Sequence, residues 1–318
     1  MNVDVSVRDV RVAFTAPAGV VTALLGPNGA GKTTVLRAIA ETSPERVGLM
    51  FQDDLLFPHM TALDNVAFGP RCQGASKAAA RDAARGWLER VGLAAHAGAK
   101  PRTLSGGQAQ LVALARALAS EPHVLLLDEP LAALDAGTRV SVRRDLRRFL
   151  AGFAGPTVLV THDPVDAYVL ADTVVVIENG TVTQTGTIAE ITARPASRYV
   201  ADLVGTNLVR GIAEGTTLTT ASGTALVIAD PVNGPVLATV APEAITLHRD
   251  EPKSSARNHW HATVRYVDAL GTRVRVQLAD PLPLVAEITA TSAAELDLHE
   301  GTGVWASVKA TEIATYPA

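Results

Sequence analysis

A single cysteine, Cys72, occurs in the whole sequence, so no internal disulfide can form and a reducing compartment is expected. No apolar run approaches the ~18 residues that cross a bilayer. The opening MNVDVSVRDV alternates apolar and polar residues like a strand, without the basic-then-apolar order of a signal peptide. A soluble, cytoplasmic chain is therefore expected. Basic surplus is lacking too: the net charge is −4, and the eight Lys and Arg against twelve Asp and Glu after residue 205 leave twenty of each before it. No basic face suggests nucleic acid, and no nucleic-acid partner is expected. Low-complexity tracts and heptad repeats are missing as well, which excludes a disordered chain and a long coiled coil.

What is present is 47% hydrophobic residues over 318 positions, enough to fill the cores of two domains. Up to about residue 184, short apolar strands alternate with helical stretches, the pattern of a mostly parallel α/β sheet. The strands are VVTALL (20–25), RVGLMF (46–51), HVLLLD (123–128), TVLVTH (157–162) and TVVVIE (173–178). An Ala- and Arg-rich block over about 58–121 predicts an inserted helical subdomain, and 187–204 predicts two closing helices. Beyond Gly205, Thr and Val alternate with Gly and Pro, and HATVRYVDALGTRVRVQLA (261–279) predicts a β-hairpin. The expected domains are 1–205 and 206–318, with PKSSARN (252–258) as a seam between two smaller β units.

ALLGPNGAGKTT (23–34) fits G-x-x-x-x-G-K-T, directly after an apolar strand and before a helix starting at Lys32. In that context Gly26, Pro27, Asn28, Gly29, Ala30, Gly31, Lys32, Thr33 and Thr34 make a phosphate cradle. The glycines let backbone N–H groups wrap the phosphates, Lys32 neutralises the β and γ oxygens, and the Thr33 hydroxyl ligates Mg²⁺. VLLLDEP (124–130) ends a core strand in two carboxylates, Asp128 to hold Mg²⁺ through water and Glu129 to polarise the attacking water. His162 closes the next strand, on the same sheet edge, where it can bond a γ-phosphate. Gln52 follows the strand at 46–51, where one polar side chain could both touch Mg²⁺ and report on the helical subdomain.

A second phosphate-type feature is TLSGGQAQLVALARALA (103–119), a helix that opens on Ser105, Gly106 and Gly107 with free N–H groups and the positive end of its dipole. Taken together, 26–33, Gln52, 104–108, Asp128, Glu129, Asp135 in LAALD and His162 resemble the ATP-binding subunits of ABC transporters, over residues 1 to about 205. The resemblance implies ATP with Mg²⁺ and a head-to-tail homodimer. Ser105, Gly106, Gly107 and Gln108 would cap the nucleotide held by the other chain, with Asp135 at the dimer interface. DDLLFPHMTALDNVAFG (53–69) would form the groove for an integral membrane permease subunit, through which a substrate-binding protein acts. The chain would then lie peripherally on the cytoplasmic face of the membrane.

Two departures from that family stand out. An early aromatic usually stacks on adenine; here Phe14 is the one candidate, and it reads equally as a core residue close to the P-loop. Only AIAETSPERVG joins the P-loop helix to the strand at 47, where the family has about 20 more residues, roughly a β-hairpin. The shortening is expected to trim the antiparallel edge of the sheet.

TNLVRG (206–211), 241–279 and LDLHEGTGVWASVKATEI (296–313) resemble the C-terminal oligomer-binding-like β domain of molybdate-importer ATPases. The fold class that follows is α/β, a P-loop NTPase of the ABC type with an inserted helical subdomain, then a small all-β OB-like domain with its core at about 254–313. The implied function is ATP-driven oxyanion import, molybdate or tungstate first, with sulfate, thiosulfate or ferric iron as other substrates of the same class. A non-transport ABC ATPase is disfavoured, because such proteins usually have two cassettes or a long coiled coil. Ser255, Arg257, Ser307 and Lys309 offer hydroxyl and cationic donors to a regulatory tetrahedral dianion such as molybdate. The other reading is that they only shape the β barrel and its dimer contact.

Overall fold

The structure, a computed structural model, describes residues 1–51 and 56–318. Two compact units result, Met1–Ile191 and Thr192–Ala318, so the division precedes the change in composition at Gly205.

In the first unit the strands are β1 (Asn2–Val7), β2 (Val10–Thr15), β3 (Val21–Leu25), β4 (Val47–Met50), β5 (Val124–Asp128), β6 (Thr157–Val160), β7 (Thr173–Glu178) and β8 (Thr181–Gly186). They form one sheet in the order β1-β2-β8-β7-β3-β6-β5-β4. The strands β7, β3, β6, β5 and β4 pair in parallel, whereas β1–β2 and β7–β8 are antiparallel. The near-continuous apolar runs are explained by burial on both faces. In β5, Leu125 and Leu127 enter the core cluster beneath the helical insert, while Val124 and Leu126 enter the cluster on the opposite face. Five-residue β3 likewise has every side chain buried.

The helices of this unit are α1 (Lys32–Thr42), α2 (Ala62–Cys72), α3 (Lys77–Arg90), α4 (Gly106–Ala119), α5 (Ala136–Ala151), α6 (Pro164–Leu170) and α7 (Ile188–Ala193), whose last residues cross the division. Helices α2, α3 and α4 pack on one another as the helical insert. Thr61 caps α2 through Asp64 N–H, and Ser76 caps α3 through Ala79 N–H. Only residues 43–46 separate α1 from β4. A cleft of about 630 Å³ opens there, lined by β1, the end of α1 and residues 43–45. The margin nevertheless comprises β1, β2 and β8, with β1 and β2 antiparallel and β2 meeting β8 in parallel. Phe14, on β2, packs partly buried against the core.

The second unit begins with α8 (Arg198–Val204) and continues through β9 (Asn207–Glu214), β10 (Thr217–Thr220), β11 (Ala225–Val227), β12 (Gly234–Val240), β13 (Thr246–His248), β14 (Asn258–Leu270), β15 (Arg273–Leu278), β16 (Val285–Thr289), α9 (Ala290–Glu295), β17 (Gly303–Val308) and β18 (Ile313–Pro317). The hairpin expected at 261–279 is β14–β15. Two five-stranded sheets form, β11-β10-β9-β12-β18 and β13-β17-β14-β15-β16. The seam expected at 252–258 does not separate them cleanly. β13 lies before it but pairs with β17, and β18 returns from the chain's end to pair with β12. Both sheets share one apolar core, from Val209 through Trp260 to Ile313, so neither is a unit by itself.

Candidate functional site

The carboxyl ends of β3, β5 and β6 meet at one edge of the parallel sheet, where open α/β folds bind ligands. The P-loop turns there on two glycines that nothing larger could replace. Gly26 has φ +154°, and a Cβ would lie 2.1 Å from the Ile177 carbonyl oxygen. Gly31 has φ +100°, and its Cβ would lie 2.6 Å from Val10 Cγ2. Gly31 is also the N-cap of α1, and no side chain caps that end. The first-turn N–H groups are therefore left for an anion. A cavity of about 420 Å³ covers this end, lined by Asn28, Gly29, Gly31, Lys32, Thr33, Thr34, Glu129 and Val160. Pro27 accepts from Ala30 N–H within the loop, and Ala30 points into the core.

Lys32 is buried and its Nζ donates to the carbonyls of Gly26 (2.7 Å) and Pro27 (2.9 Å). Burial holds its pKa below the ordinary lysine value, against the pull of Glu129 and Asp128. Thr33 Oγ1 donates to Asp128 Oδ2 at 2.9 Å, which joins residues 95 positions apart. The other oxygen, Asp128 Oδ1, is buried without a hydrogen-bond partner among the described residues. A hydroxyl and a carboxylate with an unsatisfied buried oxygen suit a hard divalent cation. Burial raises the Asp128 pKa, opposed by the Thr33 hydrogen bond. Glu129 Oε2 lies 3.0 Å from His162 Nδ1, the carboxylate mostly buried and the imidazole 63% exposed. Gln52 lies outside the described residues.

Helix α4 begins at Gly106 as the sequence predicts, with Ser105 as N-cap. A capping box closes it: Ser105 Oγ accepts from Gln108 N–H, and Gln108 Oε1 accepts from Ser105 N–H at 2.9 Å. The Gln108 side chain thus folds back onto its own helix, and its Nε2 meets His96 Nε2 at 3.3 Å. Because Oε1 is fixed by the backbone donor, the amide nitrogen faces the ring, and His96 must accept there.

A model of the family described as ABC transporter matches residues 10–132, and a model of the TOBE domain matches 254–314. The molybdenum import ATP-binding protein ModC of Mycobacterium tuberculosis is 41% identical, over 98% of this chain and 95% of the relative. The molybdate/tungstate import ATP-binding protein WtpC of Pyrococcus horikoshii is 34% identical over 96% and 95%. Among solved structures, the dimeric post-hydrolysis state of the ATP-binding cassette MJ0796 with ADP and Pi aligns with a TM-score of 0.52 at 27% identity, over 59% of this chain and 96% of that one. The chain belongs to the ATP-binding proteins of ABC transporters. It is an ATPase of the P-loop type with a C-terminal TOBE domain.

In this ABC ATPase Asp135 is exposed and caps α5, its Oδ1 accepting from Thr138 N–H at 3.0 Å. Hydrogen bonds from the Thr138 side chain and N–H hold its carboxyl below the ordinary range. In the TOBE unit a cleft of about 510 Å³ is lined by Ser255, Ser307 and Lys309. Arg257, the fourth proposed donor, is not among the residues lining it. His248 lines the same cleft, its Nε2 2.9 Å from Ser307 Oγ, and so do the carboxylates Glu243 and Glu312. His248 and the two glutamates carry no motif; the pairing of β13 with β17 brings His248 to Ser307, whereas Glu312 follows Ser307 in the chain. No helix among the described residues is long and apolar enough to cross a membrane.

Proposed function

We propose that this ABC ATPase works as a homodimer on the cytoplasmic face of a membrane, driving import of molybdate or tungstate through permease subunits fed by a substrate-binding protein. The observation that carries the substrate is the match to ModC along nearly the whole length of both chains, TOBE unit included. In each site the α1 N-terminus, Lys32 and the P-loop backbone hold the ATP phosphates. Thr33 and Asp128 hold Mg²⁺, which when bound neutralises phosphate charge. Glu129 accepts the proton of the attacking water, and His162, in contact with Glu129, orients the γ-phosphate. Ser105, Gly106 and Gly107 of one chain meet the nucleotide of the other, with Asp135 at the seam; the capped but uncovered start of α4 supports this.

Near the start of α2, the Phe57 and Phe68 rings meet at a tilt with centroids 4.6 Å apart, and Phe68 is 38% exposed. Asn65, fully buried, holds the preceding loop by accepting from Phe57 N–H and donating to the Phe57 and Thr61 carbonyls. This firm aromatic surface supports permease docking at 53–69, of which 53–55 lie outside the described residues. Disrupting the gene in its source organism tests the substrate. Cellular molybdenum at limiting molybdate should fall, with sulfate and iron uptake unchanged. Undiminished molybdenum would overturn the assignment.

A further inference from the structure

Two residues beyond the SGGQ motif, Gln110 of α4 is 1% exposed, with the buried apolar residues Leu111, Val112 and Leu114 just beyond it. An amide at such a place is costly unless both its halves are paired. Both are, and both to the segment that follows β5. Gln110 Nε2 donates to the Glu129 carbonyl at 2.9 Å, and its Oε1 accepts from Ala133 N–H at 3.0 Å. Glu129 itself has φ +50°, a left-handed backbone that a residue with a long side chain adopts only when its surroundings impose it. Its N–H donates to the Val160 carbonyl at 2.9 Å. The turn that aims the Glu129 carboxylate is thus pinned on one side by β6 and on the other by α4. The same helix packs against the following loop through Gly107, where a Cβ would come within 3.0 Å of Leu134 Cδ2.

We propose that Gln110 is a positioning residue for Glu129. It fixes the left-handed turn that points the carboxylate at the attacking water, and it ties that turn to the helix whose N-terminus serves the other chain's nucleotide. A displacement of α4 on meeting phosphate would then be carried directly to the general base of its own chain. The inference rests on the role given above to Glu129, so Glu129→Gln is measured beside it.

Gln110→Met keeps the volume and removes both hydrogen bonds. It should lower kcat on the order of tenfold to a hundredfold, as small misplacements of catalytic groups do, with the equilibrium Kd for ATP unchanged. Because Gln110 acts through Glu129, the double variant Glu129→Gln/Gln110→Met should be no slower than Glu129→Gln alone. Gln110→Glu supplies a readout that mere support of the fold would not move. Ionised, the introduced carboxyl group can accept from Ala133 N–H but opposes the Glu129 carbonyl; protonated, it can donate to that carbonyl as the amide does. The ratio of its kcat to wild type should therefore rise as pH falls. Losses that multiply in the double variant, or a pH-independent ratio, overturn the proposal. If Gln110→Met does not fold, the Gln110→Glu profile decides alone. Full turnover by Glu129→Gln would instead overturn the general-base assignment.

Discussion

Asp128 meets two opposed demands in one carboxyl group, being 2% exposed yet shaped to hold a cation. Burial raises its folded pKa above the unfolded value, so between the two the native state binds more protons and stability falls as pH rises through that window. Without nucleotide or divalent ions, Asp128→Asn should therefore raise the Tm at neutral pH. The gain should vanish below the unfolded pKa, where both side chains are neutral, and hydrolysis should be lost throughout. A lower Tm at neutral pH would refute this balance. Glu129→Gln keeps the phosphate cradle and removes the base, so turnover should fall about 10²–10⁴-fold while ATP binding persists. Single-turnover hydrolysis alongside equilibrium ATP binding checks it.

Among the elements, α4 is the most informative. Its start was legible because a Ser cap, two glycines and Gln three residues after the cap form a local pattern. A Cβ at Gly106 meets only Ala133 Cβ, at 3.9 Å, so the fold has room for a side chain there. Gly106→Asp should accordingly leave the Tm nearly unchanged but place a carboxylate where the partner's phosphate belongs, and homodimers should not hydrolyse ATP. Mixed dimers with Lys32→Ala should keep at most one complete site. Normal hydrolysis by Gly106→Asp homodimers would rule out the arrangement across the dimer. The β elements were less legible: alternation marked β14 and β15 as a hairpin, but nothing local shows that β13 and β18 change sheets.

At the scale of the molecule, the chain joins a phosphate-handling unit to a β unit whose cleft presents Lys309 and three serines beside Glu243 and Glu312. A tetrahedral dianion would have to prevail over those carboxylates, which favours a site tuned by charge rather than a general anion trap. With the nucleotide site of Glu129→Gln saturated by ATP, calorimetric titration should detect molybdate and tungstate but not sulfate. Lys309→Ala should weaken that binding about tenfold or more, the scale of a charge-assisted hydrogen bond. No heat with any of the three would leave the unit without an oxyanion role.

The sequence by itself determined the parallel core, the helical insert and the cradle, because apolar periodicity reports burial and the P-loop, the D-E pair and the SGGQ start are contiguous. It named Thr33, Asp128, Glu129 and His162 separately. Only the tertiary structure brought Thr33 Oγ1 to 2.9 Å from Asp128 and His162 Nδ1 to 3.0 Å from Glu129, since those contacts depend on β3, β5 and β6 lying side by side. It alone turned Gln108 back onto its own cap and left Arg257 off the cleft. It alone gave Gln110 its partners, 19 and 23 positions away. A buried amide within an apolar helical run carries no local signal of what it bonds; the packing of α4 against the end of β5 decides that.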